Sequence, residues 1–132
     1  MVSSETSLER YLDMLFDGAE RLMWELSEAD GHFTNYGFIR RAAQENQAAY
    51  VNLLKAALDQ AQRASDTDVY PFQIAHAEIG KRLSRVARQV GYETEGSGDE
   101  WETNVWGDPV RPLRYCRTAR LLQPSHCIEE EA

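Results

Sequence analysis

Apolar residues recur along three stretches of this chain at alternating steps of four and three, and that spacing limits what it can fold into. Leu8, Leu12, Leu15, Ala19, Leu22 and Leu26 mark the first stretch, with Tyr11, Phe16 and Met23 beside them. Phe72, His76, Ile79, Leu83, Val86 and Val90 mark the third. The second is looser: Ile39, Ala43, Tyr50, Leu54, Ala57 and Ala61, flanked by Phe38, Leu53 and Leu58. With 3.6 residues per turn, such positions form one stripe on an α-helix, and a stripe that wide must be buried. The spacing predicts a mainly α fold built on a three-helix bundle.

Local signals set the expected boundaries. Thr6-Ser7-Leu8-Glu9 fits a capping box and should start the first helix, which should stop near Asp30-Gly31. Gly18 falls inside that pattern, where a kink or the close approach of another backbone would explain it. Residues 31–37 read as a connector with a cap at Thr34 or Asn35, and the second helix as Tyr36 to Arg63. Residues 65–68 read as a polar loop. Pro71 suits the first turn of the third helix, and Gly91 its end. Gly80 would divide that helix into Pro71–Ile79 and Lys81–Val90 if it breaks it.

Beyond Gly91 the chain loses helical character. Residues 95–100 form an acidic glycine-serine loop. Trp101–Trp106 and Val110–Cys116 favour strands around the turn Gly107-Asp108-Pro109, giving a C-terminal hairpin over about residues 100–117. Pro112 should confine the second strand to an edge. A lone hairpin is marginal in water, so Trp101, Trp106, Leu113 and Tyr115 are expected to cover an open end of the bundle. Residues 1–121 thus read as one domain and 122–132 as a flexible acidic tail.

At 132 residues the chain can bury a core without metal or disulfide staples. Its two cysteines, Cys116 and Cys127, read as reduced thiols; the N-terminus has no signal core, and no run is long enough to span a bilayer. A cytoplasmic protein with no membrane contact is expected. A net charge of −8 argues against a surface that is basic throughout, yet the charge is segregated. Residues 1–66 hold eleven acids and six bases; residues 67–132 hold eleven acids and eight bases. Those eight are Lys81, Arg82, Arg85 and Arg88 on the third helix, then Arg111, Arg114, Arg117 and Arg120 at three-residue steps.

The basic helix is the leading candidate site. Lys81, Arg85 and Arg88 share a face opposite Leu83, Val86 and Val90, and a basic hairpin follows. This layout resembles that of a winged helix-turn-helix, whose helix lies in the major groove while the hairpin touches the backbone. The predicted nucleic-acid contacts are Lys81, Arg82, Arg85, Arg88, Arg111 and Arg114, since guanidinium groups fork onto phosphate or guanine. The competing expectation is a solvated face paired with acids of the same chain. The arginine ladder would alternate faces on a strand but align on a polyproline-like segment.

Trp106 and Tyr115 are the aromatics expected at a partner surface. His76, on the buried seam beside Glu78, is expected to be a core histidine with a hydrogen-bond partner. Cys116, His126 and Cys127 lack the spacing of a structural zinc site, and no glycine-rich phosphate cradle is present. No catalytic residue, metal or cofactor is therefore expected. Two functions fit: a small non-enzymatic regulator contacting nucleic acid, with a homodimer formed through the first helix, or an acidic helical adaptor or inhibitor binding a basic protein partner.

Overall fold

The computed structural model describes residues 7–63, 71–96, 101–103, 107–119 and 121. The first periodic stretch forms two helices, α1 (Ser7–Leu15) and α2 (Ala19–Leu26). Gly18 separates them at φ 77°, and an added Cβ there would meet nothing within 4 Å. The glycine is thus needed for its left-handed backbone and not for close approach. Strand β1 (His32–Thr34) follows, and then α3 (Asn35–Glu45). The expected connector therefore holds a strand.

Thr34 caps α3: its Oγ1 accepts the Gly37 backbone N–H at 3.0 Å. The second periodic stretch is also two helices, since α4 (Gln47–Arg63) starts just past Asn46, whose backbone leaves the helical region. The Asn46 side chain donates to the Met14 carbonyl at 2.8 Å and ties this joint to α1. The third stretch is the single helix α5 (Pro71–Val90), which runs unbroken through Gly80.

These helices enclose one core. Leu8, Leu12 and Leu15 of α1 and Ala19, Leu22 and Met23 of α2 are buried in it. So are Phe38, Ile39 and Ala42 of α3, and Ala49, Leu53, Ala57 and Ala61 of α4. Helix α5 buries Ala75, Ile79, Leu83 and Ala87, a strict four-residue line. Truncating a residue such as Leu83 would cost about 2–5 kcal/mol. The buried stripe of α1 serves the bundle itself and leaves only Met14 as a large exposed apolar group on that helix. Phe72 lies in the described helix, but its side chain is outside the described residues.

The C-terminal half departs from a simple hairpin. Strand β2 (Tyr92–Gly96) follows α5 directly, with Gly91 at φ 114° between them. Strands β3 (Glu102–Thr103) and β4 (Pro109–Val110) form a small separate ladder, with Glu102 opposite Val110 and Thr103 opposite Pro109. Strand β5 (Leu113–Arg117) lies between β1 and β2, antiparallel to both. It is a central strand, so the expectation of an edge fails. Pro112 sits buried just before it, outside the ladder, and its missing N–H costs no sheet bond.

Alternation along β5 sends Leu113, Tyr115 and Arg117 toward the helices, with Arg114 and Cys116 on the outer face. Tyr115 stacks on Phe33 at 5.1 Å, and Phe33 meets Tyr92 edge-on at 5.2 Å. Among the described residues no helix is long and apolar enough to cross a membrane.

Two glycine substitutions should move stability in opposite directions. Gly80→Ala adds a methyl with no atom within 4 Å inside a helix and should stabilise by about 0.5–1 kcal/mol. Gly18→Ala must adopt positive φ and should destabilise by about 1–2 kcal/mol. Urea denaturation midpoints check both.

Candidate nucleic-acid interface

Helix α5 has an inner and an outer side. Opposite the buried line, Gln73, Ala77, Lys81, Arg85, Arg88 and Gln89 are exposed. This outer stripe carries three cations and, half-buried between Arg85 and Gln89, one carboxylate. That carboxylate, Glu78, pairs with Lys81 at 3.3 Å, but the Lys81 side chain remains 74% exposed. A surface pair of that kind contributes roughly 0–1 kcal/mol and yields readily to a competing anion. Arg85 and Arg88 have no ion pair among the described residues. Lys81 and Arg85 also line a cleft of about 370 Å³ between α1 and α5, together with Glu9, Leu12, Glu78 and Arg82.

Arg82 does not belong to this face. It turns toward α1, ion-pairs with Asp13, lies 5.8 Å from the centre of the Phe16 ring, and is only 18% exposed. The sequence grouping fails here because position 82 lies about 100° around the helix from 81 and about 120° from 88, on the α1 side. Its role is to hold α1 against α5.

The hairpin arginines separate in the same way. Arg111 stays exposed, its guanidinium 5.1 Å from the centre of the Trp101 ring. Arg114 is 20% exposed on the outer face of the sheet and pairs with Glu95 across the strand at 3.3 Å. Arg117 points the other way. Its Nε donates to Ser27 Oγ at 2.8 Å, its Nη2 donates to the Trp24 carbonyl at 2.7 Å, and its guanidinium lies 3.7 Å over the Trp24 ring. The ladder is therefore a strand with alternating faces and not an aligned arginine stripe; Arg120 lies outside the described residues.

The aromatics are also redistributed. Tyr115 is buried and shares a 2.8 Å hydrogen bond with Ser84 of α5, which removes it from any partner surface. Burial pushes its phenol pKa above the ordinary value. Trp106 lies outside the described residues. Trp101, expected over the core, is instead 61% exposed. The register explains this. Glu102 and Val110 are half-buried toward the bundle, while Trp101 and Arg111, each next to them and outside the ladder, are exposed.

The hairpin is nonetheless held. Thr34 Oγ1 donates to Glu102 Oε1 at 2.6 Å, and the Arg40 guanidinium donates to the Thr103 carbonyl. These contacts link residues 63 to 68 positions apart in the chain, and no local pattern announces them.

His76 is a core histidine with a partner. The Tyr50 hydroxyl lies 2.7 Å from its Nε2, joining α4 to α5. Sequence reasoning placed it near Glu78; the partner comes from another helix. Burial lowers its pKa to about 4 and raises that of Tyr50 to about 12. Cys116 is a free thiol whose pKa is raised by burial and by Glu95, opposed by Arg114. Among the described residues no group of acids, histidines and cysteines is placed to hold a metal ion. Compared with known family models, curated proteins and solved structures, the chain matches none.

Two predictions follow the internal partners. Arg117→Ala leaves Ser27 without one of its partners and removes the Trp24 stack, so it should cost about 2–4 kcal/mol; Arg117→Lys, lacking the planar fork, should recover little. Chemical denaturation measures both. Because the folded protein holds His76 below its ordinary pKa of 6.5, it disfavours the protonated ring. That contribution to stability is complete above pH 6.5 and should fall away toward pH 4. His76→Gln should flatten the fall in denaturation midpoint over this window.

Proposed function

We propose that this chain is a small, non-enzymatic, cytoplasmic regulator that contacts nucleic acid through the outer face of α5. The observation that carries the reading is the exposed stripe from Gln73 to Gln89, on which Lys81, Arg85 and Arg88 outnumber the single carboxylate Glu78. The topology supports it. With α4 inserted between α3 and α5, helix α2, strand β1, helix α3, the long helix α5, strand β2, the β3–β4 ladder and strand β5 follow in order, and the last strand lies between the first two. This order resembles that of a winged helix-turn-helix, and on that likeness α5 would serve as the recognition helix. Helices α1 and α4 are additions to that plan.

The contact set is smaller than the sequence suggests. Lys81, Arg85, Arg88 and Arg111 compose it; Arg82 and Arg114 have internal partners. With few cations on a chain of charge −8, binding should be of moderate strength and strongly salt-dependent.

A second reading, an adaptor that binds a protein, is favoured by Val51 and Leu58. They lie two turns apart on α4 and are both exposed. The two readings separate by mutation. Under the first, duplex binding weakens with salt at a log–log slope of about 0.9 per phosphate contacted. Arg85→Ala and Arg88→Ala should each lower the affinity and reduce that slope by up to about 0.9. Val51→Ser with Leu58→Ser should leave it unchanged. Electrophoretic mobility shift on mixed duplexes at low salt is the test, and no shift would refute the regulator.

A further inference from the structure

We infer that Trp101, capped by Arg111 on the outer face of the hairpin, is a stacking site for an unpaired nucleobase next to the duplex held by α5. This rests on the nucleic-acid reading of α5 and extends it to the class of substrate: a duplex with a single-stranded end or gap.

An indole that is 61% exposed on a two-stranded ladder stabilises nothing in the core. Such a ring offers a large flat surface at low conformational cost. The ladder pairs Thr103 with Pro109, both exposed, and just beyond its other pair Trp101 and Arg111 are exposed and in contact. Among the described residues, the guanidinium of Arg111 lies 5.1 Å from the indole centre. Glu102, the acid within the strand, turns the other way and is engaged by Thr34. The face therefore pairs an aromatic plane with a cation, the combination that takes a base and its adjoining phosphate.

The mounting is suited to the task. Thr34–Glu102 and Arg40–Thr103 fix the hairpin to the start of α3, so the indole is presented on a held support. A basic peptide would instead meet Arg111 as a like charge. Among the described residues an apolar protein surface would find one ring and a proline.

The test measures anisotropy of a labelled blunt mixed-sequence duplex and of the same duplex carrying a short thymine overhang. Wild type should bind the overhang form on the order of tenfold more tightly. Trp101→Ala should abolish that preference while leaving blunt-duplex affinity unchanged, and Trp101→Phe should keep most of it. An overhang preference that is absent from wild type, or that survives in Trp101→Ala, overturns the stacking site and leaves the α5 reading standing. If neither duplex binds, the α5 reading fails and this inference falls with it. A lysine-rich peptide that binds in a Trp101-dependent way, where the overhang does not, would assign the face to a protein.

Discussion

The stacking of Tyr115 on Phe33, with Tyr92 edge-on to the same ring, is the contact through which helices and sheet become one core. Each ring comes from a different strand, and the three strands lie far apart in sequence. Phe33 continues the contact to Phe38, and Phe38 to Phe16. The aromatic line thus runs from the central sheet through α3 to the end of α1. Polar bonds fix its register: Tyr115 to Ser84 on α5, and Arg117 to Ser27 and Trp24 on α2. A one-residue slip of β5 would turn Tyr115 outward and put Arg114 or Cys116 into the core, so the register is firmly specified.

That seam settles which side of α5 is free. Ser84 and the line of Ala75, Ile79, Leu83 and Ala87 face the sheet and the other helices. Arg82 is drawn to Asp13 on α1. What remains outward is a narrow stripe with Lys81, Arg85 and Arg88. Among the described acids of the C-terminal half, Glu78 pairs with Lys81 and Glu93 lines a cleft with Arg88, while two others are held elsewhere. Glu95 is paired with Arg114, and Glu102 is bonded to Thr34. An acidic protein can in this way present a local basic surface, because a nearby charge matters more than a distant one once salt screens the field.

Much of this was legible in the residues. The helical periodicity located the buried faces of α1 and α2, because burial and the 3.6-residue repeat are the same signal seen twice. In α4 and α5 it was displaced toward the larger Tyr50, Leu54, His76 and Val86, while the lines of Ala49 and Leu53 and of Ala75 and Ala87 are the buried ones. It could not show that the first two stretches are each divided. Gly18 and Asn46 reverse or bend the backbone without interrupting the apolar spacing. Strand β1 escaped because three residues cannot display a two-residue period, and its partner lies some eighty positions away. The same distance hid the centrality of β5 and the burial of Tyr115. At the site, spacing gave the face for Lys81, Arg85 and Arg88. It failed for Arg82, whose partner is on another helix, and for Trp101, whose exposure is set by a two-residue ladder.

The central claim is that the outer side of α5 is a surface for a polyanion, and backbone amide chemical shifts report it residue by residue. A labelled sample titrated with a short duplex should show its largest perturbations at Ala77, Lys81, Arg85 and Arg88. The α4 positions Val51 and Leu58 should stay unmoved. Perturbations confined to α4, or scattered without a maximum on α5, would contradict the account.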